Sequence, residues 1–366
     1  MILMNDFKAE PVGMREEMLS AVNRVFESGW YVLGNEVTAF EKQWATMCGV
    51  EHGVGVGNGM DAIEIALRAL NVGPGDEVIT TSMTAFASVL AILRAGALPV
   101  FADIDSTTGL LSIESAERCV SARTKALVLV HLYGHLRHMS AWVDMCSRNK
   151  IELIEDCAQA HMATCHDGVA GSFGVAGAYS FYPTKNLGAP GDAGMLVTKF
   201  PEIAHRAAKL RNYGQSVRYH HPMLGLNSRL DEVHAAILSV RVKWLDLFTR
   251  RRQLIAAVYL AQIDHPAVDH LAHPEQVGAH VYHLFVIKCV KRNALQAHLN
   301  ACGVQTLIHY PLPAHSQEPC KQFRRDPMGL RVSDRHASEC LSLPCHPQMH
   351  EQDIHKVIEA VNSFKG

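Results

Sequence analysis

The chain has 366 residues, of which 48% are hydrophobic and 19% charged, and its formal net charge is -2. That length supplies one large, well-filled domain and a smaller second one, more than a single-module binding protein needs. The balanced charge leaves no basic footprint for nucleic acid, which points to a small molecule or another copy of the chain as partner.

The opening residues, MILMNDFKAEPVG, have neither a basic stretch leading into an apolar core nor a small-residue cleavage site. No run is long and apolar enough to span a bilayer, so a cytoplasmic protein with no membrane contact is expected. The ten cysteines, Cys48, Cys119, Cys146, Cys157, Cys165, Cys289, Cys302, Cys320, Cys340 and Cys345, include no Cys-x-x-Cys pair. Reduced, mostly buried thiols are expected rather than a disulfide framework or a zinc site. Among the 22 histidines, His131, His135 and His138 lie closest together. Gly134 breaks any common helix face between the first two and no carboxylate stands at ligand spacing, so no metal site is expected.

In chain order, DAIEIALRAL from Asp61 has the period of a helix and DEVITTS from Asp76 that of a strand. AFASVLAILRAG is a helix, LPVFADI and TKALVLVHLYG are strands, MSAWVDMCSRNK is a helix, and IELIEDCAQA is a strand that ends in acids. Such alternation predicts a mostly parallel sheet covered by helices on both faces, with ligands outside the carboxyl ends of the strands. That rule selects Asp156 and Gln159. Near Leu245 the pattern changes, through FTRRRQLIAAVYLAQI, HVYHLFVIKCV, NALQAHLNACG and VQTLIHYPLPAH. A large domain over 1-245 and a smaller α+β domain over 246-366 are expected.

Four local features carry chemistry. Gly53, Gly55, Gly57 and Gly59 alternate up to a helix that starts near Met60, where free backbone N–H groups and the helix dipole suit a phosphate. A Gly-x-Gly-x-x-Gly dinucleotide turn fits the spacing less well, and a plain structural turn stays open. Asp156 can hydrogen-bond a pyridine nitrogen and keep it protonated, making the ring an electron sink, although a lone acid at a strand end also serves as a helix cap. Gln159 can donate to a phenolic oxygen on the same ring. In GAYSFYPTKNLGAPGDAG a short strand delivers Lys185 into a Gly/Pro-rich turn where desolvation lowers an amine pKa, and Ser180 can point a hydroxyl at the phosphate. Lastly, LRNYGQ and GLNSRLDE hold Asn227, Ser228 and Arg229 together before a helix.

IEDCAQAH, SFYPTKNLGAPGDAG, LRNYGQ and GLNSRLDE, in this order, resemble the DegT/StrS family of sugar aminotransferases. The likeness runs from NDFKAE and GWYVLGNEVTAFE through VGNGMDA and VHLYG to TLIHYPLPAH and LSLPCHP, and so covers nearly the whole chain. It implies an α/β fold of type I with pyridoxal 5'-phosphate as cofactor. By resemblance, Lys185 is the catalytic Schiff-base lysine, Asp156 meets the pyridine nitrogen and Gln159 the phenolic oxygen. Ser180 and the Gly59–Met60 turn hold the phosphate, Asn227 reaches it from the other subunit of a homodimer, and His309, Tyr310 and His315 face the substrate. Two positions depart from the pattern. Met60 stands where many relatives have a hydroxyl residue, and Ala85 stands where they have the aromatic that stacks on the ring, with Phe86 one place later.

KNLGAPGDAG and YHHPMLGLNSRLDE are more similar to the group that aminates sugar C3 than to the C4 group, which often reads Thr-Gly-Glu-Gly-Gly after the lysine. The resemblance therefore implies a dTDP-linked 3-keto-6-deoxyhexose as acceptor and glutamate as donor, with a UDP-linked 3-keto sugar or a 4-keto sugar as alternatives. Lys185 argues against the related sugar dehydratases, which carry His there. A non-catalytic regulatory domain of this fold would show a fused DNA-binding segment or a broken site, and neither is present.

Overall fold

A computed structural model describes residues 1–366. In chain order its elements are α1 (Val12–Ser28), α2 (Asn35–Met47), β1 (His52–Val56), α3 (Gly59–Ala69), β2 (Glu77–Thr81), α4 (Phe86–Arg94) and β3 (Leu98–Ala102). There follow α5 (Ile113–Cys119), β4 (Thr124–Val130), α6 (Met139–Asn149), β5 (Glu152–Asp156), the short β6 (Thr164–Cys165) and β7 (Gly168–Val169), β8 (Ala176–Ser180) and β9 (Gly194–Thr198). The chain ends with α7 (Pro201–Leu210), α8 (Glu232–Gln262), β10 (Asp269–His270), β11 (Phe285–Lys288), α9 (Arg292–Ala301), α10 (Arg331–Glu339), β12 (Cys340–Leu343) and α11 (Glu351–Asn362).

The main sheet has seven strands in the order β1-β9-β8-β5-β4-β2-β3. β9 alone runs against the others, since it pairs antiparallel with both β8 and β1 while β8, β5, β4, β2 and β3 pair in parallel. Burial on both faces explains why these strands read as apolar runs. Leu127 and Leu129 of β4 join one core with Trp44, Trp142 and Tyr179, whereas Ala126, Val128 and Val130 of the same strand join another with Ile65, Leu67 and Ile154. The helices predicted over 61–70, 85–96 and 139–150 form as α3, α4 and α6.

The glycine run is corrected in part. Gly53 and Gly55 lie inside β1, opposite Val197 and Met195, and are not part of a phosphate turn. A side chain on Gly53 would meet the Glu41 carbonyl at 2.6 Å, and one on Gly55 would meet Leu230 Cβ at 2.9 Å, so both serve close packing. Only Gly57 and Gly59 remain at the helix entrance.

A three-stranded sheet, β10-β11-β12, carries a third core with α9, α11 and the last turns of α8. α8 passes position 245 without a break, packing first on α1 and α2 and then, through Ile255, Ala256 and Tyr259, in the third core. The C-terminal chain also returns over the large sheet. Ala314 N donates to Ser82 O at 2.8 Å, and Ala314, Cys320 and Leu330 cluster with Val89 and Phe101. This return closes a cleft over the carboxyl ends of β4, β5 and β8.

Candidate active site

Asp156 is the last residue of β5 and is buried. Its Oδ2 accepts from the Ser88 hydroxyl at 2.7 Å and its Oδ1 from the Ala158 N–H at 3.1 Å. Ser88 stands 2.9 Å from the Thr84 hydroxyl, so the first turn of α4 aims a hydroxyl relay at the carboxylate. Sequence reasoning missed Ser88, although SMTAFAS contains it. Gln159 follows in the turn after β5, its Oε1 taken by the Tyr133 N–H at 2.6 Å and its Nε2 donating to Tyr310 Oη at 3.3 Å.

Lys185 follows β8, in a turn where its N–H donates to Tyr182 O at 2.9 Å and Ala189 N closes back on Phe181 O at 2.7 Å. The side chain is half-buried, and desolvation of its amine lowers the pKa to about 8, against the opposing pull of Asp156. Three imidazoles surround this amine. His161 is buried beside Trp44, Tyr179 and Phe181, donates from Nε2 to Ser180 O at 2.9 Å, and is driven to a pKa of about 3 by burial and by Lys185. His309 is lowered to about 4 by the same two causes. His283 is pushed well below the usual range by burial first and Lys185 second, with its Nδ1 3.2 Å from Asn186 Oδ1. Asn186 also donates to Val281 O at 3.0 Å, so its oxygen must face the ring and His283 Nδ1 carries the hydrogen. His161, His283 and Asn186 were visible as letters in quoted motifs, but nothing in their spacing assigned them roles.

At the entrance of α3, Asn58 Oδ1 caps the Asp61 N–H at 2.8 Å. By helix geometry the N–H groups of Gly59 and Met60 have no acceptor in the helix. A side chain on Gly59 would lie 2.6 Å from Ser180 Cβ, so only glycine lets α3 approach β8 here. Gly194 of β9 presses equally close to the Asn58 backbone. Met60 itself packs against the second core, leaving its backbone to face the turn. Gly57 N donates to the buried Ser228 hydroxyl at 2.9 Å, while Asn227 beside it is exposed.

Tyr310 joins this group through Gln159, and burial with the Asp156 charge pushes its phenol up to about 12. His315 is drawn elsewhere: it lies 3.2 Å from Asp334 and edge-on to Phe101. Phe86 packs with Val89, Phe101 and Ala314, so its ring is engaged away from the residue that opens α4, Ala85. His131 pairs with neither His135 nor His138 but with Glu155 at 2.9 Å, near Cys157. Glu155 also accepts from the N–H groups of Gly171, Phe173 and Gly174 at 2.8, 2.8 and 2.9 Å, which makes this cluster a buried hub that pins the loop before β8.

A half-buried lysine with a lowered pKa, a hydroxyl-braced carboxylate and a glycine-lined helix entrance, gathered at the strand ends of this sheet, define an aminotransferase. The sequence profile of the DegT/DnrJ/EryC1/StrS aminotransferase family matches residues 13–362, and the chain belongs to that family. It is 42% identical over 364 residues to the dTDP-3-amino-3,6-dideoxy-alpha-D-galactopyranose transaminase of Aneurinibacillus thermoaerophilus, covering 100% of this chain and 99% of the relative. The crystal structure of S. venezuelae DesV in complex with a ketimine intermediate superposes with a TM-score of 0.95 at 40% identity, over 99% of this chain and 97% of that one. That of ntda from Bacillus subtilis with bound cofactor pmp superposes at 0.87 and 28% identity, over 96% and 82%. No helix of the chain is long and apolar enough to cross a membrane.

Proposed function

We propose that the chain binds pyridoxal 5'-phosphate and transfers an amino group from glutamate to a dTDP-linked 3-keto-6-deoxyhexose, yielding a 3-amino-3,6-dideoxyhexose. The observation that carries this reading is the placement of the Lys185 amine, with its pKa lowered to about 8, beside the strand-end carboxylate Asp156. The residues present fit the cofactor. Gly59 and Met60 offer unpaired N–H groups and Ser180 a hydroxyl for its phosphate. Asp156 keeps lone pairs beyond its bonds to Ser88 and Ala158 for a pyridine N–H, and the second Nε2 hydrogen of Gln159 is free for the ring oxygen.

When bound, this cofactor supplies an electron sink that stabilises negative charge at the carbon losing its proton. Asp156, braced by Ser88, would hold the ring nitrogen protonated. Lys185 would hold the cofactor through its amine and serve as the base that takes and returns the proton; near neutral pH an appreciable share of such an amine is uncharged, as a base must be. His161, His283 and His309 stay neutral around it and therefore add no competing positive charge.

The sugar class rests on the 42% identity to the Aneurinibacillus dTDP-sugar transaminase. We propose that His309 and Tyr310 contact the sugar. We also propose a homodimer in which Asn227 reaches the phosphate of the other subunit. Exposed Trp30, Tyr31, Tyr182, Tyr213, Tyr219 and Leu224 support such an apolar interface. Ten free cysteines accord with a reducing cytoplasm.

The test is to incubate the purified protein with cofactor, glutamate and dTDP- and UDP-linked 3-keto and 4-keto sugars, and to identify products by mass and NMR. Amination of the dTDP-3-keto sugar is expected, with borohydride fixing the cofactor on the peptide containing Lys185. Turnover of 4-keto or UDP-linked sugars alone would overturn the sugar assignment, and a label on another lysine would overturn the site.

A further inference from the structure

Tyr133 follows β4 by three residues and is completely enclosed, yet its backbone has φ +64. A bulky residue holds that left-handed conformation only where its surroundings impose it, and glycine or asparagine would hold it more easily. Its side chain therefore has a task. The conformation turns the Tyr133 N–H onto Gln159 Oε1 at 2.6 Å, while the phenol reaches across the cleft and donates to the His309 carbonyl at 2.7 Å. The phenol has one hydrogen, and the carbonyl can only accept. His336 Nε2, 2.9 Å from the same oxygen, must therefore donate to it. Burial lowers His336 to about 4 and raises the Tyr133 phenol well above its usual value, so the arrangement keeps one set of protons across the working range.

These bonds close a ring. Tyr133 N–H holds Gln159, Gln159 Nε2 holds Tyr310, and the neighbouring His309 carbonyl holds the Tyr133 phenol. With Oε1 occupied, the Gln159 amide can present only its NH2 end to the cleft, and the 309–310 segment is set at a fixed distance from it. Gly134 adds to the joint: its carbonyl accepts from Val281 N at 3.0 Å, and a side chain there would meet Gln159 O at 2.7 Å.

We infer that Tyr133 is a positioning residue that sets the orientation of Gln159 and the placement of the His309–Tyr310 segment together, coupling the cofactor-facing wall of the cleft to the sugar-facing one. The kinetic part of its test rests on the aminotransferase reading, and the exchange part does not. Tyr133→Phe keeps the turn, its N–H and the ring, and removes only the hydroxyl. In the holoenzyme, hydrogen exchange at the amides of 307–312 should quicken by about ten-fold or more, because the lost bond leaves a carbonyl unpaired. In single-turnover measurements the sugar half-reaction should lose about ten-fold in kcat/KM, through KM, while the glutamate half-reaction, read from cofactor absorbance, falls far less.

Equal losses in both half-reactions, or unchanged exchange over 307–312, would overturn the inference. If the variant does not fold, Tyr310→Phe opens the ring at the opposite corner and should quicken exchange in the 131–136 turn; unchanged exchange there would overturn it equally. If wild-type holoenzyme converts none of the sugars offered, the substrate proposal fails, and the exchange result alone decides the role of Tyr133.

Discussion

The two walls of the cleft are built differently. Asp156, Ser180 and Lys185 sit at or just after the ends of β5 and β8, inside a sheet buried on both faces, with Gln159 in the tight turn after β5. His283, His309 and Tyr310 come from irregular stretches around β11 and before α10, and side-chain hydrogen bonds to Asn186, Ser342 and Gln159 hold them. On the proposed function, the difference would separate two demands. Proton transfer needs groups fixed to within a fraction of an ångström, which strand ends supply, whereas recognition of one sugar among many is tuned on segments that can change without disturbing the sheet.

The comparison is broken most directly on the first wall. Lys185→Ala should lose both half-reactions by about 10³-fold or more while the fold persists, and Asp156→Asn should slow the glutamate half-reaction by about 10²-fold with the cofactor still bound. Single-turnover absorbance measurements check both. A variant of either residue that slowed only the sugar half-reaction would erase the division between the walls.

A smaller effect is expected at Gly59. In Gly59→Ala the added methyl meets Ser180 at 2.6 Å, on a strand that cannot retreat, so α3 must move away from β8. Cofactor affinity should fall by about 10- to 100-fold, as overpacking of about 1–3 kcal/mol implies, and titration of apoenzyme with cofactor measures it. Unchanged affinity would mean that the phosphate does not lie at this entrance.

The mildest perturbation is acid. His161 is held at about 3, and His135 and His336 at about 4, chiefly by burial and secondarily by nearby cationic groups such as Lys185, Arg137 and Lys288. Their folded pKa values lie below the unfolded value of about 6.5, so the unfolded chain takes up protons first as pH falls. The stability that the neutral rings contribute is complete above about 6.5 and declines towards 4, each ring contributing up to about 1.4 kcal/mol per pH unit. Urea midpoints at pH 7.5, 6 and 5 should fall in that order, and a flat series would show that these rings are protonated in the folded state.

The positions of Asp156 and Lys185 on the first wall were legible because their surroundings are local, while their proposed roles came from the family resemblance. IELIED is a buried strand with an acid at its end, and SFYPTKNLGA is a strand, a turn and a lysine, so period and turn residues locate Asp156 and Lys185 without any distant contact. Ser88 was not legible, since its partner lies 68 residues away on another element. Nor was the role of Gly53 and Gly55. Alternating glycines before a helix suggest a turn, and only the pairing of β1 with β9 shows them to be packing positions in a strand.

By itself, therefore, the sequence determined the alternation of helices and strands, the strand-end acid, the lysine turn and the family resemblance, because each is carried by short-range periodicity or by contiguous motifs. Tertiary structure alone decided that β9 runs against its neighbours, that α8 passes unbroken from one unit into the other, and that the chain near 310 returns over the strand ends. It also decided that Tyr133 joins the two walls across separations of 26 and 176 residues. Such contacts depend on which buried donors and acceptors find one another once the core has closed, and no local pattern encodes that matching.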